Sequence, residues 1–184
     1  MIDVRPFDDL AAMAILQRLD PHDHLEAELM RGAPATPLAL FADWRAMQQI
    51  RWLSYVAFTS PARGAKPFAL FALAQSGFCG VGEAALLARD HGQFRRPLAE
   101  LAILIRREMR AETARLGIHR VACRSWSDHP TAARLLEAIG FRHECDMPGY
   151  GRSGTVTFRQ FAWTAPEVLP ASQPACHPTH QSRS

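Results

Sequence analysis

HPTAARLLEAIGFRHE, residues 129–144, is the stretch on which the fold turns. Leu135, Leu136 and Ile139 recur at helical spacing, so the pattern predicts a helix over Asp128–Ile139. Gly140 closes it, because glycine takes the left-handed conformation that ends a helix. Phe141–Asp146 then reads as a strand, and the apolar run His119–Trp126 ahead of the helix reads as another. A strand, a short helix, a glycine stop and a second strand form a compact unit that must pack on something larger.

The rest of the chain supplies it. Its 184 residues, 48% of them hydrophobic and 21% charged, suit one globular domain and exclude disorder as a whole. Met1–Phe7 alternates as a short edge strand, and Asp8 is placed to cap a helix over Asp9–Leu19 that Asp20-Pro21 stops. A second helix is expected over Asp23–Met30, a loop over Arg31–Pro37 and a third helical piece over Leu38–Leu53. Tyr55–Thr59, Pro67–Ala74 and Glu83–Arg89 are expected as neighbouring antiparallel strands. Gln93–Gly117 carries the longest helical stripe, and a final strand, Thr155–Thr164, follows a loop containing Gly149, Gly151 and Gly154. This order predicts an α+β fold of mixed layers, a central, mostly antiparallel sheet flanked by helices, in one domain over residues 1–164. Residues 165–184, rich in Pro, Ser and His, are expected to be a disordered tail.

Composition narrows the function classes. The net charge of +3 is too mild to argue for nucleic acid or a membrane surface. Lys66 is the only lysine among 21 basic residues, so the arginine excess is a compositional bias first. No stretch is long and apolar enough for a membrane span, and the start lacks the order of a secretory signal, which predicts a cytoplasmic protein. Cys79, Cys123, Cys145 and Cys176 are widely spaced and form no CxxC pair; they read as buried free thiols, with no metal site expected.

The order of elements, together with HPTAARLLEAIGFRHE, resembles the GNAT acyltransferases, in which a segment N-x-x-A-x-x-L-Y-x-x-x-G-F lies near the end of the fold. Ala132, Leu135, Gly140 and Phe141 match; His129 replaces the asparagine and Leu136 the tyrosine. The resemblance spans residues 1–164 by element order. VRPFDDLAAMAI, DPHDHLEAELMRG and RHECDMPGYGRSG are further similar to divergent members encoded by phages and prophages. It implies transfer of an acyl group, expected to be acetyl from acetyl-CoA, to an amine that the sequence does not identify.

The resemblance also implies site residues. The helix start after the strand Glu83–Arg89 should cradle the coenzyme A pyrophosphate, so Leu87, Ala88, Arg89, Gln93, Phe94, Arg95 and Arg96 become candidate cofactor contacts, with Ala132 and Leu136 beside the pantetheine arm. The cradle is degraded: Arg96 and Leu98 stand at its glycine positions, and Pro97 lacks an N–H. Arginine in a helix's first turn opposes the helix dipole, so Arg95 and Arg96 either hold phosphates or are simply exposed. Glu83 is the candidate base, the plainer alternative being a strand-end carboxylate paired with an arginine. His129 is the candidate acid, the alternative being an exposed residue beside a capping Asp128; Tyr150 stands further down. Arg120, Arg124, Arg142 and Arg152 are expected near the cleft. The runner-up function is an inactive binding or phage-particle-associated protein of the same fold. A homodimer is a candidate assembly whose formation the sequence does not decide.

Overall fold

The computed structural model describes residues 2–166; the tail expected over residues 165–184, and Cys176 with it, falls almost wholly outside them. Seven strands form one sheet in the order β1-β2-β3-β4-β5-β7-β6. They are β1 (Asp3–Pro6), β2 (Arg51–Phe58), β3 (Pro67–Gln75), β4 (Val81–Ala88), β5 (Arg120–Trp126), β6 (Arg142–Tyr150) and β7 (Val156–Thr164). The helices are α1 (Asp9–Leu16), α2 (Pro21–Arg31), α3 (Pro37–Ala46), α4 (Arg95–Arg115) and α5 (Ala132–Ile139). The α+β class, the edge position of β1 and the antiparallel β2-β3-β4 set are as the sequence predicts.

The two faces have different cores. Ile15 and Leu16 of α1 and Leu40 and Trp44 of α3 pack against Val56, Leu70 and Ala72 on one face. On the other, Leu98 and Leu101 of α4 lie over Ala57, Ala69 and Ala88, while Ile139 joins Leu73, Val121, Cys123 and Phe161. The exception is α2, whose single buried residue is the charged Asp23. Polar bonds, not an apolar stripe, hold this helix.

Several boundaries differ from expectation for physical reasons. The third helical piece stops at Ala46, and after a 3-10 turn over Met47–Ile50 the chain enters β2. Arg51 donates to the Trp44 carbonyl at 3.0 Å and stacks 3.8 Å above its ring, while pairing Arg51 with Ala74 draws Trp52 and Leu53 into the sheet. β6 runs on through Gly149, taken up in an irregularity between Met147 and Tyr150. Asp8 caps α1, as expected, accepting the Ala11 N–H at 2.8 Å. Asp128 does not cap α5, whose first turn starts at Ala132. Of the cysteines, only Cys123 is buried among the described residues; Cys79 and Cys145 are exposed, contrary to expectation.

Candidate functional site: a wedge between two parallel strands

β4 and β5 are parallel, but they pair only from Val81 with Arg120 to Glu83 with Ala122. Beyond that the strands part, leaving residues 84–88 and 123–126 facing each other across a gap. The Arg89 N–H bonds Phe68 on the β3 side, so by ladder alternation Ala84, Leu86 and Ala88 turn their main-chain groups to the gap. The gap opens into a cavity of about 600 Å³, walled by residues of β4, β5, α2, α4 and α5. The β4–β5 ladder is broken here, so the gap-facing edges have no neighbouring strand to pair with.

Polar side chains of α2 and the turn before it close the open end. Asp23 Oδ2 accepts the Ala88 N–H at 2.7 Å, and the Asp20 N–H donates to the Ala88 carbonyl at 2.9 Å. One turn further along, Glu26 Oε2 accepts the Trp126 N–H at 3.0 Å. Residues three apart share a helix face, so Asp23 and Glu26 reach one splayed strand each. The sequence reading missed this trio, although Asp20, Asp23 and Glu26 repeat every third residue in DPHDHLEAE.

A histidine network backs the carboxylates. Asp23 Oδ1 accepts from His129 Nε2 at 3.0 Å and stands 3.1 Å from His91 Nε2. Asp20 accepts the N–H groups of His22 and His91 at 3.0 and 2.8 Å. Burial works to raise the Asp23 carboxyl, but His129, His91 and the Ala88 N–H outweigh it and hold it below its ordinary value; Asp20 moves the same way. His91 is raised, its carboxylate neighbours overcoming burial. Burial pushes Glu26 in the other direction, up to about 7, against the Trp126 N–H. It also pushes the Cys123 thiol up to about 12, with the Glu26 charge adding to the effect.

Asp23, His91 and His129 each bring one ligand atom within 4.8 Å of the others. His129 Nδ1, however, accepts N–H bonds from Ala132 at 3.0 Å and Thr131 at 3.3 Å. This directs Nε2–H at Asp23. The cluster is joined by its own hydrogen bonds into a brace.

The expected site residues divide. Glu83, Leu87, His129, Ala132 and Leu136 line the cavity, and Ala88 marks its end. His129 is not an exposed acid: its side chain is 2% exposed, and its ring caps α5 and holds Asp23. Glu83 is 49% exposed and accepts from Arg124 at 3.1 Å. Arg89, Gln93 and Phe94 face a different pocket, on the β3 side of β4. Arg95 and Arg96 are exposed at the start of α4 and line neither; Pro97 is the third residue of that helix. Tyr150 lies off the cavity, against Phe158. Of the four arginines expected nearby, Arg124 alone lines the cavity, and Arg120 pairs with Glu144. Ser125 has no bond to its buried Oγ, and its side chain lines the cavity.

Among the described residues no helix is long and apolar enough to cross a membrane. No family model matches the chain, and no curated protein does. Solved structures do. A GNAT-family acetyltransferase from Bacillus anthracis superposes with a TM-score of 0.65 at 10% identity, over 89% of this chain and 94% of its own. Spermidine N-acetyltransferase from Vibrio cholerae, in complex with CoA and spermine, gives 0.63 at 12% identity, over 89% and 95%. The yncA protein of Salmonella typhimurium, with its cofactor acetyl-CoA, gives 0.60 at 16% identity, over 94% and 99%. The fold of this chain is that of the GNAT acetyltransferases.

Proposed function

We propose that this chain transfers an acyl group, acetyl in the simplest case, from an acyl-CoA to an amine within the wedge, with Glu26 as the base. The observation that carries the reading is the splay of β4 from β5 with a proton-accepting carboxyl on its wall. The residues present fit the co-substrate: Leu87, Ala132 and Leu136 give an apolar wall, the gap-facing edges offer strand-spaced main-chain groups, and the buried Ser125 Oγ lacks a partner. Bound there, acyl-CoA supplies an activated thioester carbonyl.

The chain's own groups then do the proton work. The Trp126 N–H fixes Glu26 Oε2, leaving the other oxygen to take a proton from the attacking nitrogen. A carboxyl at about 7 is well matched to that task at neutral pH. Cys123 stays a thiol and so is a poor nucleophile, which favours direct transfer over an acyl-enzyme. Leu136 can donate no proton, and a thiol pKa near 8.5 makes the thiolate a tolerable leaving group without an acid. Glu83, which accepts a hydrogen bond from Arg124, is better suited to orienting the acceptor. Asp23, Glu26, Glu83, Glu108 and Glu112 line the cavity with a single arginine, Arg124, and two histidines, His91 and His129, and this excess of carboxyl groups favours a cationic amine.

One observation favours the second reading, a binding protein without turnover. Ala88, the last gap-facing residue of β4, has both main-chain groups taken by Asp20 and Asp23. Thermal unfolding with acetyl-CoA tests the site, since a ligand bound only by the folded state raises the midpoint. Thiol release with spermine and with an alanine-ended peptide as acceptors then tests turnover. We expect both; no midpoint shift with any acyl-CoA sinks the enzyme reading.

A further inference from the structure

A second pocket lies on the far side of β4 from the wedge, between the end of α1, the start of β3 and the turn into α4. It encloses about 360 Å³, and Arg18, Lys66 and Arg89 line it with Gln17 and Gln93. Arg89 is the anomaly. It is 9% exposed, it donates through Nη1 to the Pro67 carbonyl at 2.9 Å, and its guanidinium lies 5.3 Å from the Phe94 ring centre. Its Nε is buried with no partner.

We propose that this pocket binds a phosphoryl group, held by Arg18, Lys66 and Arg89. A buried N–H without an acceptor is costly, and three cations in one small polar space repel one another. Neither the Arg18 nor the Lys66 side chain has a hydrogen bond or ion pair among the described residues. Asp90, the carboxylate next in the chain, directs Oδ1 at the Gln93 N–H at 2.9 Å. The balance is visible on Arg89: burial and the neighbouring Arg18 charge lower its pKa, against the pull of Asp90. A phosphoryl group offers the three cations several acceptor oxygens and up to two negative charges, in the geometry that a guanidinium fork grips. A carboxylate would leave two of three cations uncompensated. The volume also leaves room for the organic part of a phosphate ester. Two sources share this chemistry: the phosphate end of an acyl-CoA reaching round the turn into α4, or a separate phosphorylated molecule.

The experiment is calorimetric titration of the full chain with inorganic pyrophosphate in a phosphate-free buffer of low ionic strength. We expect one saturable site that weakens with salt. The double variant Arg18→Ser/Lys66→Ser, at two exposed positions, should bind at least tenfold more weakly with an unliganded melting midpoint that does not fall, because the repulsion on Arg89 is relieved. Arg95→Ala/Arg96→Ala should bind as wild type. Absence of saturable binding, equal affinity in the Arg18/Lys66 variant, or loss confined to the Arg95/Arg96 variant would overturn the site. Repeating the titration with acetyl-CoA already bound separates the sources. Mutual exclusion upholds the site and assigns it to the cofactor's phosphates; simultaneous binding upholds it and assigns it to a separate ligand.

Discussion

Glu26 accepts the main-chain N–H of Trp126 at 3.0 Å, a bond that joins residues a hundred positions apart and ties α2 to the end of β5. With Asp23 on Ala88, it makes α2 the tie between two strands that have stopped pairing with each other. The same carboxyl is a brace and, in the proposed reaction, the proton acceptor, and the two roles can be separated by chemistry.

Glu26→Gln keeps an acceptor oxygen for the Trp126 N–H but cannot take a proton. Acyl transfer should fall by roughly 10²–10⁴-fold, the usual contribution of a general base, with acetyl-CoA affinity little changed. The stability effect has a definite sign. Glu26 is raised from 4.5 to about 7, so its contribution is fully present below pH 4.5 and is lost as pH rises to 7. The wild type should lose roughly 2–4 kcal/mol across that window from this group, and the glutamine variant should not. Denaturant unfolding at intervals from pH 4 to 8 measures it; parallel curves for the two proteins would refute the raised carboxyl.

Asp23→Asn should behave oppositely. Asp23 and Asp20 lie below their ordinary 3.8, so they stabilise the fold above that value and stop doing so as pH falls through their folded values. His91 is raised above 6.5, so its share is present below 6.5 and fades as pH rises through its folded value. The brace is therefore strongest between about pH 4 and 6.5. The asparagine variant removes the charge that two imidazoles face, at about 2–4 kcal/mol, and should flatten both limbs. A loss that is constant from pH 3 to 8 would show that only packing was removed.

Why the sheet was legible and the site less so follows from what each depends on. Leu135, Leu136, Ile139 and Gly140 announce a helix and its stop by spacing alone, and the strands announce themselves by apolar runs. Arg51–Leu53 does not, because its helical spacing is overruled by pairing with β3, a contact made far along the chain. His129 was misread for the same reason: its ring bonds Asp23, 106 positions away, and its exposure could not be judged locally. Glu83 was noticed because it stands alone in an apolar strand, yet the plainer alternative, pairing with an arginine, is what Arg124 provides. The carboxylates on α2 carry no signal of their own, and only the splay of β4 from β5 gives Asp23 and Glu26 their targets.

Arg95 and Arg96 yield a prediction in which stability and binding move apart. Arg95 has no bonded partner among the described residues, and Arg96 has only Glu100, at 3.3 Å. First-turn arginines oppose the helix dipole by about 0.3–1 kcal/mol each, so Arg95→Ala/Arg96→Ala should raise the unliganded midpoint slightly. If they hold a cofactor phosphate, the same variant should bind acetyl-CoA about tenfold more weakly. Unchanged affinity would leave them as exposed arginines on a charged surface.

The closed end of the wedge rests on Gly80, and this gives a prediction about the fold itself. Its carbonyl accepts the N–H groups of His119 and Arg120, at 2.9 and 3.2 Å, just before β4 and β5 begin their short pairing. Its φ is +69, and a Cβ there would meet the His119 ring at 2.1 Å. Gly77, in the same turn, has φ +87 but open space around it. Alanine at 77 should therefore cost only the left-handed strain, about 1–2 kcal/mol. Alanine at 80 should cost that and the displacement of the ring, roughly 2–4 kcal/mol in total. Because His119 is exposed, Gly80→Ala/His119→Ala should recover the difference and leave only the backbone strain. Equal losses at 77 and 80, measured by denaturant unfolding, would show that the ring moves aside freely and that the contact does not fix the apex.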